Sequence, residues 1–413
     1  MFWRFLIVFG IIALVEFYFL QAVRTFTQDF SSTKKNIITY SVYTLSVITI
    51  LVGLAALVSP PPEWPKFLRF ISSVVFILSI CKLFCFAFLF LEDISRALRW
   101  LGAYLFTDQK HSEEGIKISR FKFISQVAIT FTVIPAVSFL YGMVRGAYKY
   151  RVHNAKISSP NIPSEFNGFK IVQISDIHCG SFLSNDALLK AFKIIEDQKA
   201  DLILFTGDLV NNFAYEAQEY VKEYSMLKAP HGVYSVLGNH DYGDYSHWES
   251  AEAKKANLDA LKKVHSDAGW RLLMNEHVPI EKNGAQIGLI GIENWGGSHR
   301  FPRYGKLDVA YKGAENYPFK ILMSHDPSHW DLQVRKDYPN IDLTLSGHTH
   351  GMQFGIEIPG FKWSPIQYLY KQWAGLYKQD NQYLYVNRGL GFLGYPGRLG
   401  IWPEITVIEL QHA

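Results

Sequence analysis

The residues of this 413-residue chain that could do chemistry sit in short, widely separated clusters. The stretch "LSGHTHGMQFG", residues 345–355, sets His348 and His350 one residue apart between glycines, at the end of the apolar run "IDLTL". Four earlier clusters resemble it: Asp176 and His178 in "SDIH", Asp208 in "GDLV", Asn239, His240 and Asp241 in "GNHDY", and His325 in "SHDP". Singly, each has an ordinary explanation, since Asp208 suits a turn or helix cap, Asn239 a turn, and His325 a hydrogen-bonded core position. Jointly they supply hard carboxylate oxygen and borderline imidazole nitrogen, the ligand set of a pair of divalent ions such as Mn, Fe or Zn. The only cysteine after residue 150, Cys179, cannot build a structural thiolate site. A carboxylate can bridge two ions about 3.5–4 Å apart, and such a pair shares a hydroxide, clamps a phosphoryl group and neutralises the leaving oxygen. One residue of spacing in an extended loop lets His348 and His350 address different ions, and the flanking glycines let the backbone come close.

Each cluster must be held by something rigid, and each closes a strand-like run: "FKIVQISDIH", "DLILFTGDLV", "GVYSVLGNHDY", "FKILMSHDP" and "IDLTLSGHTHG". "AQIGLIGIENW" has the same form. Between the first two runs, "NDALLKAFKIIEDQKA" has helical spacing with Asn185 as N-cap, giving a strand–helix–strand unit. A polar helix is expected over Ser250–Asp267. In open α/β sheets ligands lie beyond the carboxyl ends of the strands, which is where all five clusters fall.

The region before residue 150 is different in kind. Phe, Leu, Ile and Val dominate it and lift the hydrophobic share of the whole chain to 49%. Four stretches, residues 2–23, 37–58, 67–91 and 121–144, reach the roughly 20 apolar residues that span a bilayer core. A signal peptide fits the first poorly, because three more spans come after it. We expect an integral membrane protein with a transmembrane region over 1–150 and an α/β domain over 151–413. The short-loop Lys and Arg divide nine against seven plus the amino terminus, which leaves the orientation open. Glu16 and Lys82 stand fourteen and fifteen positions from the starts of the first and third spans, hence at similar depth, and are expected to pair. A net charge of +4 without a basic stripe gives no reason to expect a nucleic-acid partner.

In order, "DIH", "GDLV", "GNHDY", "SHDP" and "GHTHG" resemble the motifs of the calcineurin-like metallophosphoesterases, over roughly Phe169 to Leu410. The ending "YVNRGLGFLGYPGRLGIWPEITVIEL" is most similar to the membrane-associated bacterial branch, which includes phosphodiesterases and a UDP-2,3-diacylglucosamine pyrophosphatase. The resemblance implies a four-layered αββα sandwich behind the four-helix transmembrane region, two bound divalent ions, and a bacterial cytoplasmic membrane. Asp176, His178 and His350 would then hold the first ion, Asp208 would bridge, and Asn239, His325 and His348 would hold the second. His240 would contact the phosphoryl oxygen or protonate the leaving group, with Asp241 orienting it. Cys179 departs from the pattern, which leads us to expect a larger aliphatic or a polar residue there.

Two features stay open. Arg398 in "GYPGRLG" is read either as a partner for a phosphate oxygen or as an ordinary surface arginine. The aromatics Trp363, Tyr368, Tyr370, Trp373 and Tyr377 suit a bilayer interface, an acyl-chain groove or a core hairpin equally. The expected activity is hydrolysis of a phosphodiester or pyrophosphate bond by a metal-bridging hydroxide, with a lipid-linked substrate favoured by the membrane tether and membrane lipids as partners. The rivals are a phosphomonoesterase or nucleotide hydrolase merely anchored by the spans, or a transporter or sensor carrying the fold as a binding module.

Overall fold

The structure is a computed structural model that describes residues 2–58, 64–106, 117–298, 300, 301 and 303–413. Lys110 and the "SPPPE" between the second and third expected spans lie outside these residues. The chain divides into two compact units, residues 1–141 and 142–413.

The first unit is helical: α1 (Phe2–Phe26), α2 (Ser32–Val58), α3 (Lys66–Phe106) and α4 (Lys117–Val144). By length and composition the stretches Ser32–Ala56, Lys66–Leu105 and Lys122–Tyr148 can cross a membrane. Phe19, Ala22 and Val23 of α1 pack with Cys85 and Leu89 of α3 and Ala128 of α4, and Ile38 and Val42 of α2 close the cluster. Leu51, Phe76, Leu91 and Ile134 point outward and exposed, as side chains facing lipid would. α3 runs on well past the expected end at residue 91, so Arg96 and Arg99 stand on a helix rather than in a loop. Nothing in "LEDISRALRW" breaks a helix, and Asp93–Arg96 and Glu92–Arg99 ion pairs run along it. Glu16 and Lys82 meet as expected from their depth: Lys82 Nζ lies 2.5 Å from Glu16 Oε1, and Ser46 Oγ donates to Glu16 Oε2.

The second unit is α/β. Its first sheet contains β1 (Arg151–Ser159), β2 (Lys170–Ile174), β3 (Leu202–Phe205), β4 (Val233–Ser235), β5 (Arg271–Leu272) and β14 (Glu404–His412), in the order β1-β14-β2-β3-β4-β5. Its second contains β6 (Glu276–Lys282), β7 (Ala285–Gly291), β8 (Lys320–Met323), β9 (Leu343–Ser346), β12 (Gly375–Gln379) and β13 (Gln382–Val386), in the order β12-β13-β9-β8-β7-β6. β2, β3, β4 and β5 are parallel, as are β7, β8, β9 and β13. A small separate ribbon pairs β10 (Ile356–Ile358) with β11 (Phe361–Trp363).

Strand alternation explains the layers. Ile171, Leu202 and Leu204 face Leu289, Ile321, Leu343 and Leu345 in a core between the two sheets. On the other side of the first sheet, Val172, Ile174, Ile203 and Phe205 pack on helices α5 (Asp186–Asp197) and α6 (Ala251–Asp267) through Leu188, Phe192, Leu261 and Val264. Ile290, Leu322 and Leu384 do the same for the second sheet against Leu307 and Trp330. Strands buried on both faces read as near-continuous apolar runs, as "LILF" of β3 does. The result is the expected four-layered αββα sandwich. Ser250 caps α6 by accepting from Ala253 N at 3.1 Å. Asn185 does not cap α5, because its amide is drawn away to Glu223 Oε1 at 2.6 Å.

Candidate metal centre

The carboxyl ends of β2, β3 and β4 in one sheet and of β8 and β9 in the other empty into a single place. Asp176 and His178 come after β2, Asp208 after β3, His325 after β8, and His348 and His350 after β9, while Asn239 and His240 begin a 3-10 turn beyond β4. Asp176, His178 and His350 each offer one ligand atom, all within 4.8 Å of one another, and Asp208, His325 and His348 form a second such trio. The trios are joined: His178 Nε2 is 3.5 Å from Asp208 Oδ2, and His325 Nε2 is 4.0 Å from Asp176 Oδ1. Asn239 Oδ1 lies 2.7 Å from His348 Nδ1. All seven residues expected to be metal ligands therefore fall in one cluster.

Local backbone geometry is what turns these side chains inward. Asp176, His178, Asp208, His348 and His350 all have φ between +46° and +70°, a region that side chains other than glycine enter at a cost of about 1–3 kcal/mol each. The surrounding glycines make room: a Cβ at Gly238 would collide with Asp208 Oδ1, and one at Gly347 with Asp176 Oδ2. Any substitution at those two glycines would displace a carboxylate.

Hydrogen bonds to the outer ring nitrogens fix how the imidazoles face. His325 Nδ1 donates to Thr206 O at 2.7 Å, and His178 Nδ1 to Asn211 Oδ1 at 3.1 Å, which leaves both Nε2 atoms pointing into the cluster. His325 Nε2 is buried there, 3.1 Å from Asp208 Oδ2. His178 Nε2 and His350 Nε2 face each other at 3.1 Å, beside Asp176 Oδ1 at 3.2 Å from the latter. Converging imidazoles and carboxylates fit divalent cations, whose binding would displace the proton that Asp208 and Asp176 hold on His325.

The charges pull strongly on one another. Burial acts to raise Asp176 and Asp208, but the surrounding imidazoles outweigh it and hold both carboxyls below the usual range. Burial opposes protonation of His325, yet Asp208 and Asp176 keep it up at about 10. His350 has less compensation and burial takes it down to about 4.

His240 is placed beside the trios rather than in them. Its backbone N–H donates to Asp208 Oδ1 at 2.9 Å, its ring packs edge-on to His178, and its Nδ1 donates to Asn211 O at 2.8 Å. Burial lowers its pKa to about 4. The orienting partner is thus a main-chain carbonyl and not Asp241. Asp241 is turned into the loop instead, where its carboxylate accepts from the N–H groups of Asp208, Leu209, Val210 and Gly238 at 2.8–3.2 Å. It shapes the turn that carries Asp208.

Arg398 is also elsewhere than expected. It is fully buried, and its guanidinium donates to the carbonyls of Gly389, Gly391 and His350 and approaches His350 Nδ1 at 3.2 Å. Buried backbone carbonyls capture it, so it braces His350 from behind. Cys179 is buried, which pushes its thiol well above the usual value. The aromatic stretch splits: Trp373 is buried, Tyr370 donates through its hydroxyl toward His348 Nε2 at 2.9 Å, and Tyr368 is exposed.

Sequence reasoning passed over Asn211 and Glu216, and took Tyr370 only as one of an aromatic stretch. Asn211 stands three residues after Asp208 in "GDLVNN", and Glu216 closes that loop by accepting from Asn211 N at 2.6 Å and Phe213 N at 3.2 Å. The doubled asparagine was the available signal; Tyr370 had none of its own.

Residues 169–352 match the family model "Calcineurin-like phosphoesterase", and residues 3–147 match "Probable Calcineurin-like phosphoesterase, transmembrane domain". Over 282 residues, 66% of this chain and 90% of the relative, the sequence is 31% identical to the uncharacterized metallophosphoesterase YkuE of Bacillus subtilis. It is 28% identical to a transmembrane protein with metallophosphoesterase domain from Danio rerio, over 86% of this chain and 76% of that one. With the phosphodiesterase YaeI of Escherichia coli it shares 26% identity over 71% of this chain and 99% of that one. With a site of this geometry and relatives of this extent, the chain belongs to the calcineurin-like metallophosphoesterases, metal-dependent hydrolases of phosphoester bonds that use two divalent ions, and it carries their transmembrane domain.

Proposed function

We propose that this protein hydrolyses a phosphodiester or pyrophosphate bond in a lipid-linked substrate, at a centre where Asp176, His178 and His350 hold one ion, Asn239, His325 and His348 hold the other, and Asp208 serves both. The observation that carries the reading is the pair of Asp/His trios sharing one pocket on a chain that also has a membrane domain. Its similarity to a phosphodiesterase supports a diester over a monoester. When bound, two divalent ions supply an activated water and neutralise charge on phosphoryl oxygens.

The remaining work falls to the side chains. Asn211 and Thr206 keep His178 and His325 in the tautomer that aims Nε2 at the pocket. His240 keeps its Nδ1 proton on the Asn211 carbonyl, so the proton it exchanges with the substrate's leaving oxygen is carried at Nε2. Burial disfavours the charged ring, and an incoming phosphodiester anion favours it, which couples protonation of His240 to substrate binding. The Tyr370 hydroxyl fixes the outer edge of His348. In the membrane, we place the protein in a bacterial cytoplasmic membrane on the strength of its bacterial relatives.

The test is a substrate panel on detergent-purified full-length protein with manganese: bis(p-nitrophenyl) phosphate, p-nitrophenyl phosphate and a lipid pyrophosphate. The reading expects the diester or the pyrophosphate to exceed the monoester in kcat/KM. Faster hydrolysis of the monoester would overturn it.

A further inference from the structure

The β10–β11 ribbon has its amphipathicity reversed. In its register Ile356 pairs with Trp363, Ile358 with Phe361 and Glu357 with Lys362, so one face carries four apolar side chains and the other two charged ones. The charged side chains reach back onto the body of the protein, although Lys362 is itself exposed and Trp363 of the apolar face is only partly so. Glu357 accepts from Arg388 Nη2 at 2.5 Å, sharing that guanidinium with buried Glu404. The Lys362 ammonium donates to Ala374 O and lies 5.0 Å over the Trp373 ring. The apolar face is turned out: Ile356, Ile358 and Phe361 are each about half exposed, and the next turn adds Tyr368 and Leu369, both 76% exposed.

A two-stranded ribbon is marginal alone, and one that shows its apolar face to water gives up its main source of stability. Clustered exposure of this kind marks an interaction surface. What covers it can be argued from the chain itself. The transmembrane domain ends at about residue 147 and the α/β unit continues from it without a linker, so a bilayer is held at high effective concentration beside this unit in every molecule. The residues have the interfacial character, aliphatic and aromatic tips with Tyr368 at the margin and the exposed Lys371 next to them. The same segment is fastened to the metal centre. Ser364 Oγ donates to Gly351 O at 2.8 Å, Thr349 Oγ1 to Trp373 O at 2.7 Å, and Tyr370 reaches His348.

We propose that the outward face of the β10–β11 ribbon and the Tyr368–Leu369 turn enter the boundary between headgroups and acyl chains of the membrane that anchors the protein, bringing the centre to phosphoryl groups at the bilayer surface. The proposal rests on the hydrolase reading for its substrate and adds the route by which an amphiphilic phosphodiester arrives: from the bilayer, and not from water.

The natural cysteines, Cys81, Cys85 and Cys179, are all buried, so an introduced surface cysteine can be labelled selectively. Nitroxide at Ile358→Cys and, as a control on the opposite kind of loop, at Asn283→Cys is read in full-length protein in vesicles of phosphatidylcholine and phosphatidylglycerol. At 358, collision with oxygen should exceed collision with a water-soluble nickel chelate several-fold, and at 283 the order should reverse. A label at 358 that is open to the chelate overturns the proposal; so does one shielded from both reagents, or broadened by a second label, because protein would then be the cover. In a second arm the variant Ile358→Ser/Phe361→Ser/Leu369→Ser is compared with the parent on two esters with one leaving group. Hydrolysis of soluble bis(p-nitrophenyl) phosphate should stay within about twofold, while kcat/KM for hexadecyl p-nitrophenyl phosphate in vesicles should fall about tenfold or more, mainly through KM. Equal effects on both esters overturn the proposal. Failure of the parent to hydrolyse either ester would instead reject the hydrolase reading, and the label depth would still decide the surface.

Discussion

In the helical unit the buried carboxylate of Glu16 is answered from within the chain, by the Lys82 ammonium on one oxygen and the Ser46 hydroxyl on the other. In the α/β unit Asp176 and Asp208 are buried against imidazoles: His325 Nε2 lies 3.1 Å from Asp208 Oδ2, and His350 Nε2 lies 3.2 Å from Asp176 Oδ1. One arrangement is a closed pair and the other is a set of ligands that fits cations. The difference separates two reasons for burying charge. A closed pair can specify how helices pack, whereas an open set held on left-handed backbone is costly to keep and is justified only by what binds there.

Breaking the open set should have the largest effect. Asp208→Ala removes the carboxylate that lies 3.1 Å from His325 and 3.5 Å from His178, one residue of each trio, and we expect elemental analysis to show loss of at least one equivalent of metal with hydrolysis abolished. Full metal content in that variant would refute the role given to Asp208. His240→Ala comes next: turnover should fall by about two to four orders of magnitude with metal content intact, and a variant stripped of metal would move His240 into the ligand set.

The closed pair calls for a different experiment. Lys82→Met alone leaves a buried carboxylate unanswered and should cost about 3–5 kcal/mol, seen as a lower midpoint of thermal unfolding in detergent, without a change in kcat on a soluble diester. Adding Glu16→Leu to it should restore most of the loss, and an additive double variant would show that the pair is not closed. The smallest effect expected is that of chelation. Removing ions present at about a hundred times their Kd should withdraw about 2.7 kcal/mol from the α/β unit and nothing from the helical one, and a chelator that shifts both equally would erase the contrast.

Much of this centre was legible because strand ends impose order. A run such as "DLILF" must be a buried strand, and the residues just beyond it must lie at the sheet's carboxyl edge, so Asp176, Asp208, His325 and His348 could be brought together from the sequence alone. The pairing of Glu16 with Lys82 was legible for a similar reason, since bilayer thickness ties sequence position to depth. The illegible parts depend on which way a side chain turns. Asp241 is the direct neighbour of His240, and only the course of the loop from Asp208 to Val210 decides that its carboxylate serves four backbone N–H groups and not the adjacent ring. Arg398 lies in a glycine-rich loop that looks like surface, yet the fold wraps the carbonyls of Gly389 and Gly391 around it. The aromatic stretch had one composition and three fates, because Tyr368, Tyr370 and Trp373 follow the ribbon in turns that point them in different directions.

The last long strand has a consequence for how the molecule is made. β14 lies between β1 and β2, parallel to the first and antiparallel to the second, and its Glu404 accepts from Arg388 and Tyr385. Until it emerges from the ribosome, the sheet that carries Asp176 and Asp208 is missing an interior strand. At about 5–20 residues per second, β2 waits for tens of seconds. The helices, whose contacts are short in sequence, can enter the bilayer in that interval. Hydrolytic capacity therefore waits on β14, and a ribosome that stalls before Glu404 leaves an anchored product with no working centre.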